Sequence, residues 1–279
     1  MSGSAGALDA HVHVWDLRRR PYDWITEPVL QRDFGLDDYV RATTEAMPVI
    51  LVQALPDPAE TADLLALADA HRTMVHGVIG SLGPGNGEAR RLAALTAGPG
   101  GDRLAGIRVP AAAVTPALLE LAWSAGLTVD VLAEPADVRG IVAVASEHPG
   151  VAVVLDHLAG LVVGGTGWRT ELDALAAVGA TNVIYKLSGL ATRGVGGRTP
   201  ARELLAEATA TLLAAVGPER LVFGSDWPVA LLGTEGSDPF ALARTALADA
   251  GADSADVQQV MGATARSVYS AVARQEACR

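Results

Sequence analysis

The sequence predicts a (β/α)8 barrel, the TIM barrel, built as one domain over residues 1–279. Three observations predict it. Half of the 279 residues are hydrophobic, enough for one large core. Eight short runs rich in Val, Ile and Leu recur along the chain, apolar on both faces as buried parallel strands are. Helical patterns with recognisable ends separate them, and that alternation builds this barrel. The competing arrangement is an open doubly wound sheet. No Gly-x-Gly-x-x-Gly follows the first strand, so a dinucleotide-binding version has little support.

The predicted strands are 8–15, 49–53, 75–80, 104–109, 128–132, 151–157, 183–190 and 221–226. Asp57-Pro58 opens a helix with a capping carboxylate and a proline in the first turn. Thr115-Pro116 opens another, and Gly126 ends it. Glu134-Pro135-Ala136-Asp137 opens a third, which stops at His148-Pro149-Gly150. Further helices are predicted over 168–178, 199–216, 238–250 and 254–273. Two segments break the rhythm. Residues 16–48 form a long connection holding Tyr22, Trp24 and Phe34, and residues 191–198 form a glycine-rich loop. In a barrel both emerge on the C-terminal face, where active sites sit. The aromatics are equally explained as a small core beneath a long loop.

The first strand carries the clearest chemical signal, Asp9-Ala10-His11-Val12-His13. Strand side chains alternate, so Asp9, His11 and His13 are expected on one face. Two imidazoles aimed at one point can hold a divalent metal or polarise a carbonyl.

Composition excludes several function classes. Net charge is −11, and Arg18-Arg19-Arg20 is the only basic run, so a nucleic-acid surface is not expected. No purely apolar stretch reaches the ~18 residues of a membrane span. The first residues lack the charged and apolar regions of a secretory signal, and the single cysteine, Cys278, suits a reducing compartment. The expectation is a cytoplasmic protein acting on a small molecule, with no nucleic-acid or membrane partner and with homo-oligomerisation left open. Lys186 is the only lysine, and it sits inside an apolar strand, where a charge needs a task.

The polar residues at the strand ends form a constellation. They are His11 and His13, Arg108, Asp156-His157, Lys186 with Ser188 on the same face, and Asp226. A closed parallel barrel brings them to one mouth, and packing alone does not explain so many buried polar groups. His71, His76 and His148 are expected to be structural.

These stretches resemble the amidohydrolase superfamily, in its amidohydrolase-related (amidohydrolase 2) branch of lactonase-type hydrolases. The resemblance rests on Asp9-Ala10-His11-Val12-His13-Val14-Trp15-Asp16, Tyr22-Asp23-Trp24, Val52-Gln53-Ala54, Gly106-Ile107-Arg108, Leu155-Asp156-His157-Leu158, Lys186-Leu187-Ser188-Gly189-Leu190 and Phe223-Gly224-Ser225-Asp226-Trp227-Pro228-Val229. It implies a barrel that opens a sugar-acid lactone or a 2-pyrone-4,6-dicarboxylate-type lactone. It implies Asp226 as general base, with His157 and the first-strand pair polarising the carbonyl or holding a metal. It implies Arg108 as a ligand of substrate oxygens. An anionic lactone would engage Arg108, Lys186, Arg193 and Arg198; Lys186 could instead pair with Asp226. A neutral sugar lactone would stack on Trp15, Trp24 and Trp227. Ser188 completes the substrate-binding set.

A divalent ion, zinc or manganese, is left open, with His11, His13 and Asp226 as its ligands; no organic cofactor is expected. Single-metal members of the superfamily add a fifth-strand histidine, and Thr128-Val129-Asp130-Val131-Leu132 has none. The chain also departs from the branch at Gly77-Val78-Ile79-Gly80-Ser81-Leu82 and at Leu158-Ala159-Gly160-Leu161, which leaves the substrate open. The alternatives are a metal-dependent decarboxylase on the same scaffold and a barrel that binds a metabolite without turning it over.

Overall fold

A computed structural model describes residues 6–43, 47–234 and 236–270; Cys278 and the end of the last predicted helix, 271–273, lie outside the described residues. Eight strand-then-helix units follow one another. They are β1 (Asp9–Val12) and α1 (Leu36–Ala42), β2 (Val49–Val52) and α2 (Pro58–Ala70), β3 (Val75–Gly80) and α3 (Glu88–Ala97), β4 (Leu104–Pro110) and α4 (Pro116–Ser124). The second half repeats the pattern with β5 (Thr128–Leu132) and α5 (Val138–Ser146), β6 (Val153–Leu155) and α6 (Trp168–Ala176), β7 (Val183–Leu187) and α7 (Arg202–Val216), β8 (Leu221–Phe223) and α8 (Pro239–Asp249). All neighbours pair in parallel and in sequence order, as the (β/α)8 prediction requires.

The expected caps are present. Asp57 accepts from the Ala59 N–H at 2.8 Å with Pro58 in the first turn, and Thr115 caps α4 in the same way. The prediction missed α1 and α3. The α3 helix buries only Leu92 and Leu95, and the run Gly83-Pro84-Gly85-Asn86-Gly87 before it reads as loop. The helix predicted over 254–273 is interrupted: α9 (Ser254–Gln258) passes through a π turn, Gln259–Ala263, into α10 (Thr264–Val268). No helix among the described residues is long and apolar enough to cross a membrane.

The barrel interior is packed with Leu8, Ala10, Ile50, Val52, Ile79, Ala105, Val154, Ile184 and Val222, joined by Ala265 and Tyr269 from the C-terminal segment. That segment closes the N-terminal end of the barrel. The Leu8 N–H donates to the Met261 carbonyl at 2.9 Å, and Thr264 Oγ1 donates to the Pro218 carbonyl just before β8 at 2.9 Å. Outward residues such as Val49, Leu51, Val129, Val153 and Tyr185 pack under the helices.

The last seam, β8 to β1, positions the chemistry. Beyond the regular ladder the Asp226 N–H donates to the His11 carbonyl at 2.9 Å, and the His13 N–H donates to the Trp227 carbonyl at 2.8 Å. A Cβ on Gly224 would stand 2.5 Å from His11 Cβ, so only glycine lets β8 approach β1 this closely.

Candidate active site

The ladders of β1, β6, β7 and β8 end earlier than predicted, and at β6 and β8 the polar residues beyond the strand leave extended geometry. Asp226 has φ +62°, and His157, Leu158 and Ala159 have φ +52°, +53° and +53°. Left-handed backbone at non-glycine residues costs about 1–2 kcal/mol each, and it persists where the surroundings fix a side chain for a purpose.

Three ligand-type atoms converge at the seam. His11 Nε2 lies 3.1 Å from His13 Nε2, and Asp226 Oδ1 lies 3.7 Å and 3.5 Å from those two nitrogens. A tetrahedral site with bonds of roughly 2.0–2.1 Å places its ligand atoms about 3.4 Å apart, so the spacing fits a divalent cation. The ring orientation fits too. His13 Nδ1 donates to the Val52 carbonyl at 2.8 Å, which leaves the Nε2 lone pair facing the other two groups. His11, His13 and Asp226 are all buried.

Beside and beneath them lies a charged layer. Arg108 Nε donates to Asp156 Oδ2 at 2.7 Å, and Lys186 Nζ stands 2.9 Å from Asp156 Oδ1 and 2.5 Å from Asp130 Oδ2. The carboxylates Asp130, Asp156 and Asp226 therefore face two cations, Lys186 and Arg108. The residual negative charge suits an additional cation.

His157 is held from both sides. Arg108 Nη2 can only donate, and it points at His157 Nε2 from 3.4 Å. The ring hydrogen of neutral His157 therefore sits on Nδ1, which meets Ser188 Oγ at 2.8 Å and lies 3.9 Å from Asp226 Oδ2. Next to it a cleft of about 330 Å³ is lined by Leu132, Glu134, Asp156, His157, Gly160 and Arg193, among others. A cavity of about 400 Å³ lies behind Asp9 between α1 and α8 and includes none of the histidines.

Burial and the Lys186 ammonium hold His11 neutral, well below the usual imidazole range, against the pull of Asp156. Burial, aided by Arg193 and Arg108 and opposed by Asp226 and Asp156, pushes His157 down to about 4. Burial alone would raise the Asp226 carboxyl, but His157, His13 and His11 outweigh it and keep it below the usual carboxylate range. Asp226 is thus ionised at neutral pH. The sign for stability follows. The unfolded chain protonates its histidine near 6.5 while folded His157 stays neutral to about 4. The stabilisation is complete above pH 6.5 and lost as pH falls toward 4, on the order of 3 kcal/mol. Denaturant midpoints from pH 8 to pH 4 should fall across that window; in His157→Asn the fall should shrink.

Several sequence expectations are corrected. Asp9 does not share the face of His11 and His13. From Asp9 to Val12 the β1 chain advances three residues while β2 advances two, Val49 to Leu51, and this bulge turns Asp9 away. Its carboxylate instead accepts from Tyr39 Oη at 3.0 Å, the Ser225 N–H at 2.8 Å and the His11 N–H at 3.2 Å, and so ties the seam together. Lys186, expected to meet a substrate or Asp226, instead has its ammonium enclosed beside Asp130 and Asp156. Ser188 is likewise enclosed and meets His157. Trp15 packs edge-to-face on Phe34 and Trp24, and Trp227 on Phe34 and Tyr39, so both belong to the core under the long connection. That connection is anchored by Tyr22 Oη donating to buried Glu60 at 2.9 Å. Of the three tryptophans Trp24 alone is exposed, at 42%. Arg108 stands at the mouth, with its guanidinium largely taken by Asp156, the Gln53 carbonyl and His157.

Two groups gain weight from the structure. The Nε of Arg193, on the glycine-rich loop, and the Oε1 of Gln53, at the end of β2, are buried without a hydrogen-bond partner among the described residues. Asp130, the buried partner of Lys186, is not singled out by the sequence reading; its signal is an aspartate inside an apolar strand that needs a cation, in a chain with one lysine.

The chain is similar to known proteins along most of its length. A family model described as Amidohydrolase matches residues 8–271. An L-fucono-1,5-lactonase of Burkholderia multivorans is 32% identical over 252 residues, which cover 81% of this chain and 83% of the relative. An L-fucono-1,5-lactonase of Burkholderia ambifaria is 28% identical over 244 residues, 81% of each chain. A crystallised amidohydrolase from Burkholderia multivorans, 28% identical, aligns over 94% of this chain and 98% of its own, with a TM-score of 0.76 in a form holding HEPES and 0.75 in a form holding zinc.

Proposed function

Because the chain belongs to the amidohydrolase family, we propose that it is a hydrolase that opens the lactone of a sugar acid, with Asp226 as general base. The observation that carries this reading is the convergence of His11 Nε2, His13 Nε2 and Asp226 Oδ1 at the mouth of the barrel. The two lactonase relatives support the substrate class.

The Asp226 carboxylate accepts a proton from the water that attacks the lactone carbonyl. It returns that proton to the ring oxygen as the acyl C–O bond breaks, leaving a hydroxy acid. A carboxylate held below its usual range is a weak base. This favours assistance over an unaided Asp226. His11, His13 and Asp226 would hold a divalent cation, and such an ion supplies a lowered pKa for water and a polarised carbonyl. Arg108, fixed by Asp156, and His157, fixed by Ser188, present a rigid polar wall to the reacting ester. Arg193, which lines the cleft beside His157, has an unpartnered Nε that can donate to a substrate oxygen.

Acid release from L-fucono-1,5-lactone and other sugar-acid and dicarboxylate lactones tests the reading, before and after chelation, with metal content measured on the same sample. Expected is turnover of a sugar-acid lactone that chelation removes and zinc or manganese restores. Turnover intact in metal-free protein would remove the cation from the mechanism and leave Asp226 with the histidines. Silence across the panel in metal-loaded protein would reject the lactonase.

A further inference from the structure

Three groups meet the Lys186 ammonium: Asp130 Oδ2 at 2.5 Å, Asp156 Oδ1 at 2.9 Å and His11 Nδ1 at 3.3 Å. Of its three N–H bonds two meet carboxylate oxygens, and the third faces His11 Nδ1. Asp130 is itself held from the other side. The same Oδ2 accepts from Tyr269 Oη at 2.8 Å, and Oδ1 accepts from Thr128 Oγ1 at 3.2 Å. Tyr269 follows α10 in the segment that closes the N-terminal end of the barrel, and it is buried against the interior aliphatic residues. A continuous column therefore runs from the barrel floor to His11: Tyr269, Asp130, Lys186, His11.

Opposite demands meet at His11 Nδ1. Lys186 only donates. Asp156 Oδ1, 3.5 Å away, only accepts, and beside its 2.9 Å contact with Lys186 a carboxylate oxygen can take a second donor. If Nε2 offers its lone pair to a cation, the ring hydrogen of neutral His11 sits on Nδ1 and needs an acceptor there. Asp156 Oδ1 is that acceptor, provided Lys186 is held back toward Asp130.

We propose that Tyr269 and Asp130 are positioning residues of the cation site: from the barrel floor they hold Lys186 so that Asp156 takes the Nδ1 hydrogen of His11 and Nε2 faces the cation. This deepens the reading of His11, His13 and Asp226 as metal ligands and rests on it.

Tyr269→Phe tests it, because the variant removes one hydroxyl and keeps the ring in the core. The measurements are zinc affinity by competition with a chromophoric chelator, the ¹⁵N shifts of the His11 ring with and without zinc, kcat and KM on the lactone, and Tm. Outer partners of metal-bound histidines typically contribute 10- to 100-fold in affinity or activity. Expected are about tenfold weaker zinc binding, a His11 Nδ1 signal that loses protonated character, and a comparable fall in kcat with KM little changed. A lower Tm with zinc affinity, ring signal and kcat unmoved would mark a merely structural hydrogen bond and overturn the proposal. Thr128→Val, which loosens the other oxygen of Asp130, is the second variant and should move the same readouts in the same direction by less. Wild-type protein that takes up no zinc would count against the metal reading; the positioning role would then fall if Tyr269→Phe left kcat unchanged.

Discussion

Asp226→Asn is expected to reduce lactone turnover by about three orders of magnitude or more while the fold survives. A positioned general base is worth roughly 10²–10⁴-fold, and loss of one of three cation ligands adds to that. Three orders correspond to about 4 kcal/mol of barrier. The fold should survive for local reasons. The seam bond at this residue comes from its backbone N–H to the His11 carbonyl, which asparagine keeps. Its φ of +62° is a conformation asparagine adopts more readily than most residues. The carboxamide keeps the shape beside His11, His13 and His157 but carries no charge and takes no proton. Initial rates by acid release, with a circular-dichroism melt and metal content on the same preparation, check this. Near wild-type kcat would remove Asp226 from the chemistry. Lost activity accompanied by a collapsed melt would leave the role undecided, and Asp226→Ser would then repeat the measurement.

The barrel and its mouth were largely legible in the sequence because both follow from local rules. Buried parallel strands read as apolar runs, and Asp57-Pro58 and Thr115-Pro116 announce helix starts wherever they occur. The His-x-His strand and Asp226 are far apart in sequence, yet closing the sheet in order brings them together without further information. What could not be read depends on interruptions of periodicity. One extra residue in β1 separates Asp9 from the histidines, and no propensity marks that bulge. The left-handed turn at His157 shortens β6 to three residues, and its sequence, Asp156-His157-Leu158-Ala159, contains no glycine to signal it. Side-chain partnership was equally hidden. Lys186 reads as a substrate ligand until Asp130, Asp156 and Tyr269 are seen around it, because their positions along the chain say nothing of a shared interior layer.

That layer leads to the largest stability effect expected. Lys186→Met should destabilise the protein by about 3–5 kcal/mol, the usual consequence of removing one partner from a buried ion pair. The methionine has nearly the same length and fills the same space, so packing contributes little. The effect comes from the carboxylates. Asp130 and Asp156 are fully enclosed. The two carboxylates repel each other, and burial already opposes their ionisation. Asp156 would retain Arg108 at 2.7 Å, whereas Asp130 would retain only the hydroxyls of Tyr269 and Thr128. Asp130 is therefore the group left without an opposite charge. It follows that Lys186→Met combined with Asp130→Asn should recover much of the lost stability, since the asparagine needs no cation and can still accept from Tyr269. Activity should not recover with it, because Asp156 Oδ1, the acceptor for His11 Nδ1, would no longer be fixed by an ammonium held from the barrel floor. Denaturant melts of the two single variants and the double variant measure the coupling as a thermodynamic cycle. A double variant no more stable than Lys186→Met would place the loss in packing instead of charge. Recovery of stability and turnover together would make Lys186 a counter-ion for Asp130 and nothing more.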